Sequence, residues 1–359
     1  MPSAHAAAPE PIEPMLAKVA PALPDTPGFL FEPKWDGFRA IVFRGADATH
    51  LQSRDLKSLN RYFPELVQGL HDALAPGTIL DGEIVVVGTN GLDFDALQQR
   101  VHPAASRVAR LAAETPARFV AFDLLCDGGA WTLERPQAAR RARLEKLLAD
   151  ASPPLHLTPM TQDHGTAVQW LRDFEGAGLD GVMAKPASAA YQPGKRAMLK
   201  IKHVRSADCV VAGYRLFKER DDAVGSLLLG LYGDDGVLQH VGITSAFDMA
   251  SRVQLLIDLA PLRKLRGGAH PWIPDEGTPA APGQRLPGAR SRWSGTKDLS
   301  WEPLRPERVC EVRYDHLQGD RFRHATTFLR WRPDKPPKDC RYDQLEVTAP
   351  FELAKVFGA

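Results

Sequence analysis

Length, composition and charge exclude several kinds of protein at the outset. With 359 residues the chain is too long for one ordinary domain and suits two. Its 44% hydrophobic and 25% charged residues are typical of a globular protein with a well-buried core. The formal net charge is only +1, so any site for a polyanion must come from local clustering of basic residues.

The N-terminal segment and the cysteines carry information about the compartment. The first residues, MPSAHAAAPEPIEP, contain neither a basic segment nor an apolar core, so no signal peptide is expected. No run of 18 apolar residues occurs, so no membrane span is expected. The four cysteines are scattered without zinc spacing. We therefore expect a soluble, cytoplasmic protein that has no membrane partner.

In chain order, the first half reads as mixed strands and helices. Residues 1–12 are rich in Ala, Pro and Glu and are expected to be disordered. The apolar runs FLFEPKW, AIVFRG, TILDGEIVVVG and RFVAFDLL, bounded by turn residues, predict strands. Helical periodicity occurs over 56–74 and 136–149. These elements predict an α+β domain over residues 13–203.

The second half has a different pattern. From residue 208 onward, short strands with tight turns dominate, and one helix is predicted over 246–259. This pattern is typical of a small β-barrel, which we place at 204–359 with the domain boundary near 203–206. Within it, 263–297 is rich in Gly and Pro, which predicts a long loop or disordered insert. The insert is basic, with Arg263, Lys264, Arg266, Arg285, Arg290, Arg292 and Lys297 against Asp275 and Glu276.

Lys34 lies in the segment E-P-K-W-D-G-F-R (32–39), where a predicted strand ends. Gly37 suits a tight turn with positive φ. A lysine beside a turn, followed by Asp and Arg, suits a nucleophile in a phosphate pocket. Because the ordinary lysine pKa is about 10.4, attack requires cations or burial that lower it. From this segment alone, a surface turn of mixed charge is an equally good interpretation.

Other segments supply what a phosphate site needs. Carboxylates precede apolar residues in L-D-G-E-I-V-V (80–86) and D-G-V-M-A-K (180–185), and F-V-A-F-D-L-L (119–125) is a buried strand with an aromatic residue. L-K-I-K (199–202) places two lysines on one strand face, where they repel each other unless an anion lies between them. Lysine is scarce in this chain, with 14 among the 45 Lys and Arg residues, yet five lysines (34, 185, 200, 202 and 335) lie in such segments. This concentration favours a phosphate site.

The order of these segments resembles that of the covalent nucleotidyltransferases, which are the DNA ligases, RNA ligases and mRNA capping enzymes. The series is K-W-D-G-F-R, S-R-D, L-D-G-E, F-V-A-F-D-L-L, D-G-V-M-A-K, L-K-I-K and R-W-R-P-D-K, across roughly residues 14–345. The last part of the chain is most similar to short bacterial ATP-dependent DNA ligases of the C class. The resemblance implies a nucleotidyltransferase (adenylation) core of antiparallel sheets and helices, followed by a C-terminal OB-fold β-barrel.

The resemblance also implies a role for each matching residue around the nucleotide. Lys34 is the nucleophile that forms lysyl-AMP. Glu83 holds the ribose and Phe122 stacks on adenine, whereas Lys200 and Lys202 neutralise the α-phosphate. The remaining residues assigned to the nucleotide or its phosphates are Glu32, Arg39, Arg54, Lys185, Arg332, Asp334 and Lys335, the last three orienting the leaving pyrophosphate.

A divalent metal ion, Mg²⁺ or Mn²⁺, is implied as well, with Asp180 and Glu83 as its protein ligands. The wider family has Glu at the position of Asp180, which is one methylene shorter, so Asp180 is the residue at which this chain departs from the pattern.

Several residues keep a second interpretation. Phe122 fits a plain core phenylalanine, and Lys185 fits a partner for an acid as well as for phosphate. Arg140 and Arg141, in the predicted helix over 136–149, fit either contacts to a DNA backbone or solvated helix charge.

The resemblance therefore implies an ATP-dependent DNA ligase that acts as a monomer on nicked double-stranded DNA, in repair. It would seal 5′-phosphate and 3′-hydroxyl ends through lysyl-AMP and DNA-adenylate. The barrel is expected to rotate about a hinge near 203–206, and the basic insert over 263–297 is a candidate DNA clamp. An RNA ligase or capping nucleotidyltransferase would use the same lysine, whereas a non-enzymatic nucleic-acid-binding barrel would not need it.

Overall fold

A computed structural model describes residues 9–89, 91–202, 205–218, 220–263, 270–274, 281–288, 298–315, 317–345 and 353–356. The strands are β1 (Leu16–Val19), β2 (Phe29–Pro33), β3 (Phe38–Arg44), β4 (Thr49–Ser53), β5 (Thr78–Gly88), β6 (Gly91–Leu92), β7 (Ala117–Asp127), β8 (Ala130–Trp131), β9 (Leu155–Leu157), β10 (Val182–Pro186), β11 (Arg196–Ile201), β12 (Arg205–Leu216), β13 (Val224–Tyr232), β14 (Leu238–Thr244), β15 (Glu302–Tyr314), β16 (Leu317–Gln318), β17 (Arg321–Phe322) and β18 (Thr327–Trp331). The helices are α1 (Pro64–Ala73), α2 (Phe94–Gln99), α3 (Ala105–Glu114), α4 (Gln137–Leu147), α5 (His164–Asp173), α6 (Met249–Leu259) and α7 (Leu353–Val356). Short 3-10 helices are Asn60–Tyr62, Phe174–Ala177, Ala260–Leu262, Pro337–Asp339 and Tyr342–Gln344.

The chain divides into two compact units. Unit 1 contains Met1–His203 together with Thr348–Ala359, and unit 2 contains Val204–Val347. Unit 2 therefore ends before residue 359, where the sequence placed the end of the barrel domain. The physical reason lies in α7, whose apolar residues Leu353 and Val356 are buried in a cluster of unit 1.

Unit 1 is built on two sheets. The larger, seven-stranded sheet has the order β4-β3-β5-β7-β8, with β6 paired to β5 and β9 to β7. The smaller, four-stranded sheet has the order β1-β11-β10-β2. Apolar residues at alternating positions of β3, β5 and β7 form the main core together with α1 and α4. This core fixes the strands from which the functional residues extend.

Two glycines allow close approach of the backbone, one where β2 leads into β3 and the other just before β10. A Cβ on Gly37 would lie 2.2 Å from the Ile84 carbonyl oxygen on β5. Gly37 does not have positive φ, so the tight turn predicted there is wrong, and close packing on β5 is the reason for glycine. Gly181 has φ 131°, and its Cβ would lie 2.0 Å from the Ile201 carbonyl oxygen.

The start of the chain and of α1 differ from the predictions. Residues 1–8 lie outside the described residues, but Ile12, expected to be disordered, exchanges hydrogen bonds with the Gln52 side chain at 3.0 and 2.6 Å. The helix predicted from residue 56 begins at Pro64, because proline suits the first helical turn. The preceding turn also holds Leu56 at φ 61°, which is incompatible with a helix.

The two arginines of α4 are buried, so neither interpretation offered for them is correct. Arg140 is 0% exposed and donates to both carboxylate oxygens of Asp123, at 2.8 and 2.9 Å. Arg141 donates to the Thr158 carbonyl oxygen at 2.7 Å. These bonds tie α4 to β7 and to the segment after β9.

Unit 2 contains a five-stranded antiparallel sheet with the order β14-β13-β12-β15-β18. Its two edges meet at a bridge between Thr244 and Thr326, where the Thr244 hydroxyl donates to the Thr326 carbonyl oxygen at 2.9 Å. A five-stranded sheet whose edges meet in this way is a small β-barrel. Apolar side chains of β12, β13, β14 and β15 fill its interior, and α6 packs against it.

Parts of the predicted insert over 263–297 are fixed to the barrel. His270 is buried, and its Nε2 lies 2.9 Å from the Ala212 carbonyl oxygen. Trp272 donates from its indole nitrogen to the Leu238 carbonyl oxygen at 3.0 Å. For 270–274 the alternative of a disordered insert is therefore wrong, whereas the alternative of a loop agrees with the structure, in which these polar atoms bond to the barrel strands. The basic residues Lys264, Arg266, Arg290, Arg292 and Lys297 lie outside the described residues.

A search of the helices in the described part of the chain finds none with the length and apolar character needed to cross a membrane.

Candidate active site

A cavity of about 220 Å³ lies in unit 1, beside the residue that follows β2. Its walls come from both sheets, through β1, β2, β5, β7, β10 and β11. The lining residues are Pro14, Leu16, Ala17, Glu32, Pro33, Lys34, Trp35, Arg39, Arg54, Glu83, Phe122, Met183, Lys185, Arg196, Met198 and Lys200. Residues predicted from six separate motifs thus meet around one cavity.

Lys34 is held at this cavity by backbone and side-chain bonds to one segment. Its amide donates to the Gly181 carbonyl oxygen at 2.8 Å, and the Asp180 amide donates to the Lys34 carbonyl oxygen at 2.9 Å. The Lys34 Nζ donates to Asp180 Oδ2 at 2.6 Å. The motif that carries Asp180 therefore positions both the backbone and the amine of Lys34.

Asp180 lies between two lysines. Lys202 Nζ lies 3.1 Å from the same Oδ2 atom that binds Lys34. Burial alone would raise the pKa of Asp180, but the charges of Lys34 and Lys202 hold it below its ordinary value. The anion beside Lys202 is thus the carboxylate of Asp180, which Lys202 shares with Lys34 and, among the ion pairs of the described residues, not with its strand neighbour Lys200.

Lys200 lines the cavity and is the neighbouring cation. Burial, together with the charges of Lys34 and Lys202, lowers the pKa of Lys200. Cations gathered in this way repel one another, so the site is electrostatically prepared for an anion such as phosphate.

Glu83 lies opposite Arg39 in the pairing of β5 with β3. Burial raises the pKa of Glu83 to about 7, although the charges of Arg39 and Lys34 oppose that rise. Burial therefore favours the protonated form of this carboxyl group, and a hydroxyl group or cation placed against it would favour its ionised form.

Phe122 forms an apolar wall of the cavity and is flanked by two cations. The guanidinium of Arg39 lies 4.5 Å from its ring centroid, and Lys185 Nζ lies 4.6 Å from the centroid. The ring is buried and also lines the cavity. Its position therefore agrees both with a core phenylalanine and with a residue that contacts a ligand.

Lys185 pairs with an acid, as one of its two interpretations expected. Its Nζ lies 2.7 Å from Glu32 Oε2 and donates to the Phe122 carbonyl oxygen at 3.0 Å. Glu32 is 1% exposed, and its Oε1 has no hydrogen-bond partner within the described residues. This oxygen faces Arg141 at 3.5 Å, in the wall of the cavity.

Arg39 is held by a network that the motifs did not identify. Its Nε and Nη2 atoms each donate to Asp81 at 2.5 Å. The Tyr191 hydroxyl donates to Asp81 Oδ2 at 2.6 Å and accepts from the Met15 amide at 2.9 Å. Asp81 lies two residues before Glu83 in L-D-G-E, a signal that pointed to it, whereas Tyr191 had no signal in the sequence.

Arg54 lines the cavity from the exposed turn after β4. The turn is closed by the Lys57 amide, which donates to the Ser53 hydroxyl at 3.0 Å. Arg54 is therefore an exposed residue that lines the cavity and can also reach a second phosphate outside it.

Arg332, Asp334 and Lys335 belong to unit 2. Arg332 Nη1 donates to both carboxylate oxygens of Asp208, at 2.9 and 3.0 Å, and its Nη2 donates to Asp334 at 2.8 Å. Hydrogen bonding to Arg332 lowers the pKa of Asp334 to about 2. Asp208 is a further residue that the motifs did not single out, since a lone acid in a strand has no signature.

Two carboxylates suited to a divalent ion lie close to Lys34. Asp180 bonds to it directly, and the charge of Lys34 affects the pKa of Glu83. The described residues contain no group of three or more His, Cys, Asp or Glu side chains that would hold a metal ion without other ligands. Mg²⁺ is commonly bound by one or two carboxylates together with water and substrate phosphates, so this donor set fits a metal ion shared with a nucleotide.

Fold and site together define a class of enzyme. A lysine amine at a cavity with a cationic end, an aromatic wall and nearby carboxylates suits nucleophilic capture of a nucleoside phosphate. A β-barrel unit joined to such a core completes the architecture of a covalent nucleotidyltransferase.

Comparisons with known proteins identify the family. The family model described as "ATP dependent DNA ligase domain" matches residues 14–202, and "ATP dependent DNA ligase C terminal region" matches residues 220–335. DNA ligase C2 of Mycolicibacterium smegmatis is 54% identical over 337 residues, which cover 94% of each chain. DNA ligase C of Mycobacterium tuberculosis is 53% identical over 352 residues, which cover 96% of this chain and 97% of the relative.

A solved structure described as "DNA binding with a minimal scaffold: Structure-function analysis of Lig E DNA ligases" has the same fold, with a TM-score of 0.53 at 17% identity. The match covers 89% of this chain and 99% of the chain in the solved structure. The chain belongs to the ATP-dependent DNA ligase family. The predicted family and α+β class are confirmed, and the comparisons do not favour an RNA ligase or capping enzyme.

Proposed function

We propose that this protein seals nicks in double-stranded DNA with ATP, through lysyl-AMP and DNA-adenylate intermediates. The observation that carries the proposal is the position of Lys34, whose Nζ lies at the cationic end of the cavity and 2.6 Å from Asp180. Membership of the ATP-dependent DNA ligase family supplies ATP as the nucleotide.

In the first step, the Lys34 amine attacks the α-phosphorus of ATP. A phosphorus–nitrogen bond forms, the bond between the α-phosphorus and the bridging oxygen breaks, and pyrophosphate leaves. Attack requires the unprotonated amine, so the pairing of Lys34 with Asp180 has to loosen when the nucleotide binds. Lys200 and Lys202 neutralise the charge on the α-phosphate, since in-line phosphoryl transfer depends mainly on positioning and charge neutralisation.

The remaining cavity residues position the nucleoside. We assign the adenine to the face of Phe122, with Glu32 Oε1, which accepts no hydrogen bond within the described residues, as an acceptor for an exocyclic amine. Glu83 accepts a ribose hydroxyl. Lys185 holds Glu32 and the Phe122 backbone in place, while Arg39, fixed by Asp81, lies 4.5 Å from the centroid of the Phe122 ring.

Asp180 and Glu83 are the residues that would hold Mg²⁺ or Mn²⁺, together with nucleotide phosphates. Such an ion, when bound, stabilises the negative charge that builds up on the transferred phosphoryl group. Drawing Asp180 toward a cation would also weaken its hold on Lys34.

The second and third steps take place on DNA. AMP passes from Lys34 to the 5′-phosphate at the nick, with Arg54 as the candidate contact to that phosphate. The 3′-hydroxyl then attacks the activated 5′-phosphorus, and AMP leaves. We propose that Arg332, Asp334 and Lys335 act on pyrophosphate in the first step, and that unit 2 then moves about residues 203–206 so that DNA can enter.

The proposal also covers the partner. Contacts to nicked duplex DNA are expected to be made mainly to phosphates, and to be salt-sensitive for that reason. We propose a monomer acting in DNA repair, with the basic residues of 263–297 as an additional DNA contact.

The test uses duplexes with one nick and a labelled 5′ end. Sealing is expected with ATP and a 5′-phosphate, and is expected to be absent with GTP or with a 5′-hydroxyl at the nick. Equal sealing of a nick in duplex RNA would show that the substrate assignment is wrong, and a chain that seals no DNA nick would refute the proposal.

A further inference from the structure

An apolar cluster of unit 1 contains residues from a distant part of the sequence. We name it the Trp35 cluster, and its buried members are Trp35, Val85, Val120, Phe174, Ala177, Leu179, Leu353 and Val356. The last two belong to α7, which follows unit 2 in the chain yet packs in unit 1, against the 3-10 helix Phe174–Ala177.

The Trp35 cluster contains the chain neighbours of both members of the Lys34–Asp180 pair. Trp35 follows Lys34 directly, and Leu179 precedes Asp180 directly. Two backbone hydrogen bonds join these segments, since the Lys34 amide donates to the Gly181 carbonyl oxygen and the Asp180 amide donates to the Lys34 carbonyl oxygen. A shift of the cluster would therefore move the nucleophile and its carboxylate together.

Trp35 is fixed by a hydrogen bond and by apolar packing. Its indole nitrogen donates to the Thr158 hydroxyl at 2.8 Å, and the residue is buried, with 5% exposed. Because most of the ring surface is apolar and lies within the cluster, its position depends on the apolar side chains packed around it.

The two α7 residues are buried as deeply as core residues. Leu353 is 7% exposed and Val356 is 1% exposed. A helix of one turn is too short to be stable by itself, so α7 is held in place by the burial of these two apolar side chains.

We propose that α7 is a positioning element for catalysis, which sets the position of Lys34 and Asp180 through the Trp35 cluster. The proposal rests on the proposed function, in which Lys34 is the nucleophile. Displacement of a reacting group by about 1 Å costs on the order of 100-fold in rate. Loss of α7 packing is therefore expected to slow lysyl-AMP formation more than the reaction that does not use the Lys34 amine.

The experiment removes the packing of α7 by the double substitution Leu353→Ala and Val356→Ala in the full chain. The matched control is Val108→Ala with Leu111→Ala, since these two residues are buried to 4% and 8% exposure on α3, which packs against α1. Both variants are assayed, at a temperature well below their Tm, for lysyl-AMP formation and for sealing of a nick that already carries AMP.

The α7 variant is expected to form lysyl-AMP at least about 10-fold more slowly than the control variant, while its sealing of the adenylated nick stays within about twofold of it. An equal effect of the two variants on lysyl-AMP formation would overturn the proposal, and so would an equal loss of both reactions in the α7 variant. Val356→Ala alone gives the same discrimination if the double variant fails to fold. The conservative variant Val356→Ile, which keeps a β-branched apolar side chain, should form lysyl-AMP at the rate of the unaltered chain.

The two claims fail in different ways. If the unaltered chain formed no lysyl-AMP, the proposed function would be refuted. If it formed lysyl-AMP and the α7 variant did so equally well, only the role of α7 would be refuted.

Discussion

At the scale of single residues, the chemistry depends on how each charged group of the cavity is paired. Lys34 and Lys202 share Asp180, whereas Lys185 is paired with Glu32. Removal of one member of a buried ion pair destabilises the fold by more than the attraction between the two charges, because the remaining charge is left uncompensated. Substitutions here therefore act on the neighbours as well as on the residue replaced.

Glu83 gives a prediction about stability and pH. Its pKa in the folded chain is raised from 4.5 to about 7 by burial, so the folded state binds the proton more tightly than the unfolded state. Stability is accordingly lost as the pH rises from the unfolded value toward the folded one. Glu83→Gln removes this effect, so the stability of the variant relative to the unaltered chain should rise by about 2 kcal/mol between about pH 5 and pH 8.

The measurement is thermal unfolding of both chains at the two pH values, with the exposed acid substitution Glu114→Gln as control. A Glu83→Gln variant whose difference from the unaltered chain is the same at both pH values would show that Glu83 titrates normally.

The sequence predicts much of this residue-level arrangement. The residues that it assigned to the nucleotide from motifs over 32–202 line one cavity with the exception of Lys202, which pairs with Asp180, the partner of the cavity residue Lys34. It did not predict Tyr191, because the partners Asp81 and Met15 lie 110 and 176 positions away and meet it only in the folded chain. It also misjudged Arg140, since a charge on a helix is usually solvated and only the fold brings Asp123 against it.

At the scale of elements, the site requires strands that approach more closely than side chains allow. β3 begins next to β5 at the point where a Cβ on Gly37 would lie 2.2 Å from the Ile84 carbonyl oxygen and 2.9 Å from the Glu83 Cγ atom. The close approach brings the segment after Lys34 against the strand that carries Glu83. Glycine is therefore required by packing at this position.

Gly37→Ala is expected to push β3 away from β5 and to slow lysyl-AMP formation on the order of 100-fold, with a lower Tm. Gly165→Ala is the matched control, because it lies in α5 and its Cβ would lie 3.3 Å from the end of the flexible Asp163 side chain. Alanine also favours helix, so this variant should be as active as the unaltered chain. Full activity of Gly37→Ala would contradict the packing argument.

Most elements follow from local patterns in the sequence. The buried strands β5 and β7 coincide with the predicted apolar runs, and α4 and α6 lie within the predicted helical segments. α7 was not predicted, because a helix of one turn has too few residues to show a period. The anchoring of 270–274 was also missed, since it depends on hydrogen bonds to distant strands rather than on a local pattern.

At the scale of the whole molecule, the proposed nucleophile and the residues proposed to orient pyrophosphate belong to different units. Lys34 belongs to unit 1, and Arg332 belongs to unit 2. A group needed only while pyrophosphate leaves can be supplied by a unit that later moves aside for DNA. This arrangement predicts that substitutions in unit 2 separate the steps of the reaction.

Arg332→Ala should slow lysyl-AMP formation on the order of 100-fold, because it removes the positive charge that is proposed to stabilise the leaving pyrophosphate. Sealing of a nick that already carries AMP should stay within a few-fold, because no pyrophosphate leaves in that reaction. Arg330→Ala is the matched control, since this exposed residue of β18 pairs with Glu311 on the barrel surface. A variant at Arg332 that loses both reactions equally would exclude a role confined to the first step.

The central claim is that the Lys34 Nζ atom bonds covalently to AMP. The direct measurement is incubation of the chain with ATP labelled at the α-phosphate, followed by denaturation and mass spectrometry of the labelled peptide. Lys34→Arg keeps a positive charge beside Asp180 but removes the amine nucleophile, and Lys18→Arg, at an exposed position of β1, is the control. We predict an acid-labile adduct on the peptide containing Lys34 in the unaltered chain and in Lys18→Arg, and none in Lys34→Arg, whereas an adduct that persists in Lys34→Arg would contradict the account.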